Sequence, residues 1–455
     1  MAMAGHAPGG ALPLILLVVS CCGRIVSGAS PAAAALRRVG SGSGGLCDQL
    51  LLPLGYPCTE HNVETKDGFL LSLQHIPHGK NKAADSTGPP VFLQHGLFQG
   101  GDTWFINSAE QSLGYILADN GFDVWIGNVR GTRWSKGHST FSVHDKVNTL
   151  HWNEWRALGL RRSGDGDIGS GKCSILLRIR GKWWQAQGVR QEAGAVKGKP
   201  HLCPARKLFW DWSWQELAEY DLLAMLGYVY TVTQSKILYV GHSQGTIMGL
   251  AALTMPEIVK MISSAALLCP ISYLDHVSAS FVLRAVAMHL DQMLVTMGIH
   301  QLNFRSVRCI LVRTIDLSEG IPSNSILPHT LKVVAWKAYQ CQPRVLQSVI
   351  RKGTFAKYDY GLLGNLRRYG HLRPPAFDLS SIPESLPIWM GYGGLDALAD
   401  VTDVQRTIRE LGSTPELLYI GDYGHIDFVM SVKAKDDVYV DLIRFLRENG
   451  WHNSY

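Results

Sequence analysis

Three residue types along this chain could together perform acyl transfer: a serine between glycines, a later carboxylate and a still later histidine. Gly241-His242-Ser243-Gln244-Gly245 fits the pattern G-x-S-x-G, the sharp strand-to-helix turn that exposes a nucleophilic serine. Side chains two before and two after that serine would collide. Glycine at both positions removes the clash and lets Ser243 take a strained backbone with its hydroxyl presented outward. The pattern alone is weak, and its surroundings strengthen it. An apolar strand, Lys236–Val240, lies just before it and a helix-compatible run, Thr246–Thr254, just after. The plain alternative is a serine in an ordinary Gly-rich turn.

A serine hydroxyl is a poor nucleophile until a base removes its proton. In the strand–turn–helix setting of G-x-S-x-G, the partners follow in the order acid then histidine, each at the C-terminal end of a strand. Asp396, in Gly393-Gly394-Leu395-Asp396, sits just past the apolar run Pro387–Met390. His425, in Asp422-Tyr423-Gly424-His425, sits just past Glu416–Ile420. Asp400 and Asp422 are rival carboxylates, and sixteen other histidines are rivals in principle. An oxyanion hole is the third requirement, because two N–H groups must meet the charge that builds on the carbonyl oxygen. The backbone N–H of Gln244 is one candidate donor. That of Leu97, in His95-Gly96-Leu97 after Pro90–Gln94, is the other; otherwise His95-Gly96 is only a strand-ending turn.

These residues need a scaffold, and the apolar runs supply one. His61–Thr65 and Phe69–Ile76 flank Lys66-Asp67-Gly68, a hairpin with an Asp-Gly turn. Pro90–Gln94 and Phe122–Ile126 are separated by the helical stretch Ala109–Ala118, and Ile237–Val240, Ala265–Leu268, Pro387–Met390 and Glu416–Ile420 follow in the same style. Short strands buried on both faces and alternating with helices specify an α/β fold with a mostly parallel sheet. Val432–Asn449 closes it as a terminal helix. Two regions break the pattern. Asn148–Lys207 is rich in Gly, Arg and Trp without sustained periodicity, improbable as a designed loop. The span from about 275 to 375 is long and helical in pattern, and reads as a cap over the sheet.

Composition narrows the classes. With 46% apolar and 18% charged residues in 455, the chain is globular. Its net charge of +6 is uneven: 148–207 alone carries +8, leaving −2 for the remainder. No recognition module accompanies that basic stretch, so nucleic acid is not an expected partner. Ala11–Cys22 is an apolar run followed by small residues, too short to span a bilayer and suited to a secretory signal over residues 1–28. A Gly/Ser-rich leader, 29–46, follows, and no later run is long enough for a transmembrane helix. Of nine cysteines, Cys47 and Cys58 are a candidate disulfide in an oxidising compartment, the alternative being two free thiols. No Asn-x-Ser/Thr sequon occurs.

Taken together, these segments resemble the acid lipase family of α/β-hydrolases, which includes gastric and lysosomal acid lipases and their plant counterparts. The resemblance runs from Leu46 onward through Gly55-Tyr56-Pro57, Val63–Gly68, Leu93–Leu97, Gly127-Asn128-Val129-Arg130-Gly131 and Phe209-Trp210-Asp211-Trp212-Ser213. It continues through the elbow, Gly393–Asp396 and Gly424-His425-Ile426-Asp427-Phe428. The Cys47/Cys58 spacing is closest to the plant triacylglycerol lipases. The resemblance implies a lipase domain over 47–455 with a mobile cap. It implies Ser243 as nucleophile, Asp396 as orienting acid, His425 as base, and the N–H groups of Leu97 and Gln244 as oxyanion hole. It further implies long-chain fatty-acyl esters, acylglycerols or sterol esters, met at a lipid–water interface, with no metal or cofactor. The chain departs from the family in two places. Residues 148–207 interrupt a motif that is otherwise contiguous, which reads as a translated intron, and about 307–348 match poorly before Gly353–Gly361 resumes the likeness. Two other readings stand beside the lipase: an acyltransferase using the same acyl-serine, and a catalytically impaired lipid-binding protein on a hydrolase scaffold.

Overall fold

The computed structural model describes residues 44–81, 88–143, 209–279 and 353–451, together with the backbone of 161–162, 173–179 and 182–188. Its main sheet is built from β1 (Thr59–Glu64), β2 (Phe69–Ile76), β3 (Pro90–Gln94), β4 (Asp123–Gly127) and β5 (Gly137–His138), and a separate small sheet follows from β6 (Arg161–Arg162), β7 (Cys173–Ile179) and β8 (Lys182–Gly188). The main sheet resumes with β9 (Ile237–His242), β10 (Ile262–Leu268), β11 (Ile388–Gly393) and β12 (Glu416–Ile420). Its strand order is β1-β2-β4-β3-β9-β10-β11-β12, with β5 paired to β2. From β4 to β12 every pairing is parallel, and β1, β2 and β5 form the antiparallel end. This is the α/β-hydrolase architecture.

β3, β4, β9 and β11 are buried at every position, as parallel strands covered on both faces must be. The helices are α1 (Leu113–Asp119), α2 (Leu223–Thr233), α3 (Gln244–Leu253), α4 (Leu362–Tyr369), α5 (Val401–Glu410) and α6 (Tyr439–Gly450), of which α4 leaves Leu362, Leu363 and Leu366 exposed and the other five cover the sheet. α1 packs on β4, α2 on β1, β3 and β9, α3 on β9 and β10, α5 on β11, and α6 on β9 and β10. The hairpin, the elbow strand and the last strand lie where the apolar runs put them, with ends moved by a few residues. The helix expected over Ala109–Ala118 starts only at Leu113. The terminal helix is split: a turn at Ala434–Asp437 ends at Val438 (φ −123°, ψ −51°), and α6 begins after it. α2 and α5 are not among the elements expected from periodicity.

Cys47 and Cys58 form a disulfide, Cα–Cα 5.4 Å. Leu46, assigned above to the leader, is fully buried, so the packed domain starts there. The signal 1–28 and most of the leader lie outside the described residues. Within 148–207, where no regular element is expected, β7 and β8 form an antiparallel hairpin with β6 alongside. Local pairing of two seven-residue segments overrides the lack of a longer pattern. Trp210, just after this insertion, donates its indole N–H to the Val143 carbonyl just before it, at 3.1 Å.

Most of the stretch expected to form a cap, 280–352, lies outside the described residues, and the chain on both sides of it is anchored. The N–H groups of Ser278 and Ala279 bond to the Ala397 carbonyl. On the far side Phe355 and Phe377 stack around Trp214, and the Gln215 side-chain oxygen accepts from Tyr358 N and the Tyr369 hydroxyl.

Candidate active site

The elbow connects β9 to α3. Ser243 has φ 55° and ψ −114°, a strained conformation for a residue with a side chain. The two glycines answer different contacts. A Cβ on Gly241 would lie 2.8 Å from the carbonyl carbon and oxygen of Gly245, the collision expected from the turn. A Cβ on Gly245 would lie 2.4 Å from the carbonyl oxygen of Gln94, on the neighbouring strand. The second glycine therefore serves the packing of helix against sheet rather than the elbow's own closure.

Ser243, Asp396 and His425 converge. The Ser243 hydroxyl donates to His425 Nε2 at 2.7 Å, and His425 Nδ1–H donates to Asp396 at 2.8 Å to Oδ2 and 3.0 Å to Oδ1. Asp396 also accepts the N–H groups of Leu398 and Ala399, at 2.9 and 2.8 Å. Its side chain is wholly buried. Burial alone would raise this carboxyl; the adjacent His425 imidazole and the two N–H donors outweigh it and hold the group below the usual carboxylate range. The rivals are engaged elsewhere. Asp400 caps α5 through Thr402 N, and Asp422 is exposed.

Gln244 is the first residue of α3, where N–H groups have no intrahelical partner and the helix dipole favours negative charge. The opposing loop is fixed through its side chains. The His95 Nδ1–H donates to the Gly96 carbonyl at 2.9 Å, and its Nε2 accepts the Val129 N–H at 3.4 Å. The Gly96 carbonyl and the Leu97 N–H belong to one planar peptide. Holding the first therefore sets the direction of the second. Gly96 N–H itself donates to Gln99 Oε1 at 2.8 Å. A Cβ on Gly96 would stand 2.9 Å from that of Ser243, so the loop can approach Ser243 this closely only as glycine. Burial pushes His95 down to about 4, which keeps it neutral, and the two hydrogen bonds place its proton on Nδ1.

Several site neighbours had no role in the sequence reading. Arg130 is fully buried and joins two carboxylates. Its Nε donates to Asp221 at 2.7 Å, its main-chain N–H to the same group at 2.8 Å, and its terminal nitrogens to Asp67 at 2.6 and 2.8 Å. This ties the β1–β2 turn and the helical segment before α2 to the loop that holds His95. Asp427 accepts the Gly424 N–H at 2.7 Å and braces the turn carrying His425. His242 and Cys269 face the same turn. The available signal was position: both stand at C-terminal ends of parallel strands, where this fold gathers its chemistry. The sulfur of Cys269 and ligating atoms of Asp396 and His425 lie within 4.8 Å of one another. His425 Nδ1 and Asp396 are already bonded to each other, so this cluster is a hydrogen-bond network rather than an open metal seat.

A buried carboxylate, an oriented imidazole and a hydroxyl on a strained turn above a parallel sheet define the class of α/β-hydrolases with a serine centre. Comparison with known proteins agrees. A family model described as a partial α/β-hydrolase lipase region matches residues 47–108, and one for the α/β-hydrolase fold matches 89–296. Triacylglycerol lipase 1 of Arabidopsis thaliana is 47% identical over 425 residues, covering 90% of this chain and 92% of that one. Triacylglycerol lipase 2 of the same plant is 31% identical over 429 residues, covering 89% and 88%. Gastric triacylglycerol lipase of Bos taurus is 26% identical over 425 residues, covering 88% and 91%. The chain belongs to the lipase family of α/β-hydrolases. It is a serine carboxylic ester hydrolase that cleaves fatty-acyl esters.

Proposed function

We propose that Ser243 attacks the acyl carbon of a lipid ester, with His425 as base and Asp396 as the group that fixes and stabilises its imidazolium. The proton passes from Ser243 Oγ to His425 Nε2, and the oxyanion forms against the N–H groups of Leu97 and Gln244. His425 then protonates the leaving alcohol. Water, deprotonated by the same imidazole, releases the fatty acid from acyl-Ser243. The observation that carries this reading is the 2.7 Å hydrogen bond from a strained Ser243 to an imidazole whose other nitrogen is held by a buried carboxylate.

The substrates we assign are acylglycerols or sterol esters met at a lipid–water interface beneath a cap spanning about 275–375. We place the protein in the secretory pathway, as a secreted or lumenal enzyme whose residues 1–28 are its signal. The disulfide supports an oxidising compartment. Among the described residues no helix is long and apolar enough to cross a membrane.

Ser243→Ala decides the nucleophile. Turnover of p-nitrophenyl butyrate should fall by on the order of 10⁵-fold, covalent labelling by a fluorophosphonate should vanish, and thermal unfolding should be unchanged. Labelling that persists at full rate would reject Ser243.

A further inference from the structure

β9 and β10 run parallel and end side by side, with His242, the last residue of β9, in register with Leu268 of β10. Cys269 follows directly. Both side chains reach one atom, the main-chain carbonyl oxygen of His425. His242 Nε2 lies 3.0 Å from it and Cys269 Sγ 3.1 Å. We propose that His242 and Cys269 are positioning residues that dock the His425 turn onto the sheet through this single carbonyl, and so hold the imidazole in line between Ser243 and Asp396.

Donor chemistry supports the arrangement. A carbonyl oxygen has two lone pairs and only accepts, so it can take both bonds, and His242 must carry its proton on Nε2. With the proton there, Nδ1 has none to offer Gln99 Oε1 at 3.3 Å, and the 3.0 Å contact is the hydrogen bond. Burial drives His242 down to about 3, so it stays a neutral donor, and burial pushes the Cys269 thiol well up, so its proton remains. The sulfur also lies within 4.8 Å of an Asp396 carboxylate oxygen, and its hydrogen bond goes to the His425 carbonyl.

The backbone at Cys269 gives an independent reason to single out the sulfur. Its φ is 52°, a left-handed conformation that strains a residue with a side chain and that glycine adopts freely. Cysteine adds a thiol at a position where glycine would fit without strain, and that thiol points at the His425 turn. The benefit is kinetic: a reacting group displaced by about 1 Å can lose on the order of 100-fold in rate. Two bonds to the main chain of His425 limit that displacement directly.

The inference rests on the serine-nucleophile reading, and the test separates the two. Cys269→Ala and Cys269→Ser, with His242→Leu and His242→Gln, are assayed in the full chain on p-nitrophenyl butyrate. Cys269→Ala and His242→Leu should each lower kcat about five- to tenfold, the effect of one hydrogen bond on a barrier, with KM changed by less than about twofold. Cys269→Ser and His242→Gln keep a donor and should return kcat to within about threefold of the parent. Fluorophosphonate labelling rates should follow kcat. An unchanged kcat in Cys269→Ala, or a Cys269→Ser as slow as Cys269→Ala, overturns the proposal. If His242→Leu does not fold, the cysteine pair, which alters one buried atom, decides alone. A parent chain that fluorophosphonate does not label refutes the Ser243 reading instead.

Discussion

At the residue scale, the site is a set of groups held in one protonation state by burial. His95 and His242 are each about 1% exposed, and burial lowers them to about 4 and about 3. Each folded value lies below that of a free histidine, about 6.5. Above that pH both the folded and unfolded chains are neutral there, and nothing is lost. As pH falls below it, the unfolded chain gains a proton that the folded chain refuses, and stability drains until the folded value is reached. His242→Gln removes one such group. The stability advantage of the parent over this variant should therefore shrink by about 1.4 kcal/mol for each pH unit between about 6 and 4. Urea unfolding of both proteins across that range checks the slope. A constant difference would mean that His242 is protonated in the folded chain.

At the element scale, positions follow from strands that end where the chemistry begins. Ser243, Cys269, Asp396 and His425 follow β9, β10, β11 and β12. The central strands were legible because residues buried on both faces leave an uninterrupted apolar run, as in Ile237–Val240, whereas Glu416–Ile420, expected to be buried like them, is the last strand of the sheet and exposes Leu417 and Tyr419. α5 was not legible. Its apolar residues are few, and its start is set by the Asp400 cap, a local signal easily confused with a catalytic carboxylate. Cys269 was hidden for a different reason: one thiol after an apolar run looks like core until the neighbouring strand is known. Gly245 shows how element packing can be tested. Its missing Cβ would sit 2.4 Å from the Gln94 carbonyl oxygen, which belongs to a central strand and cannot move aside. Gly245→Ala should cost about 1–3 kcal/mol of stability and lower kcat by shifting α3 and with it the Gln244 N–H. Thermal unfolding and ester turnover measure both effects. An alanine variant as stable as the parent would mean that α3 has room to retreat.

At the scale of the whole molecule, the unusual feature is the stretch 148–207, read from the sequence as an insertion. Its three strands pair only with one another, and among the described residues none joins the main sheet. The chain on either side of it is core. Phe209 is buried against Phe69, and Trp210 and Trp212 lie over Gly131. The bond from Trp210 to the Val143 carbonyl shows that the two sides of this stretch meet directly. Deleting 148–207 shortens the connection 144–208 from 65 residues to five, still able to reach roughly 20 Å when extended. Closing a shorter loop costs less entropy, by about 2 kcal/mol for this change in length. We therefore expect the deleted chain to fold with equal or higher stability and to hydrolyse p-nitrophenyl butyrate with kcat/KM within about threefold of the parent, since the donors and acceptors found at the site among the described residues all come from outside this stretch. The reading of this stretch as translated intron sequence requires that outcome. Loss of folding or of turnover on deletion would make the small sheet a working part of the enzyme, and would turn attention to what its basic residues bind.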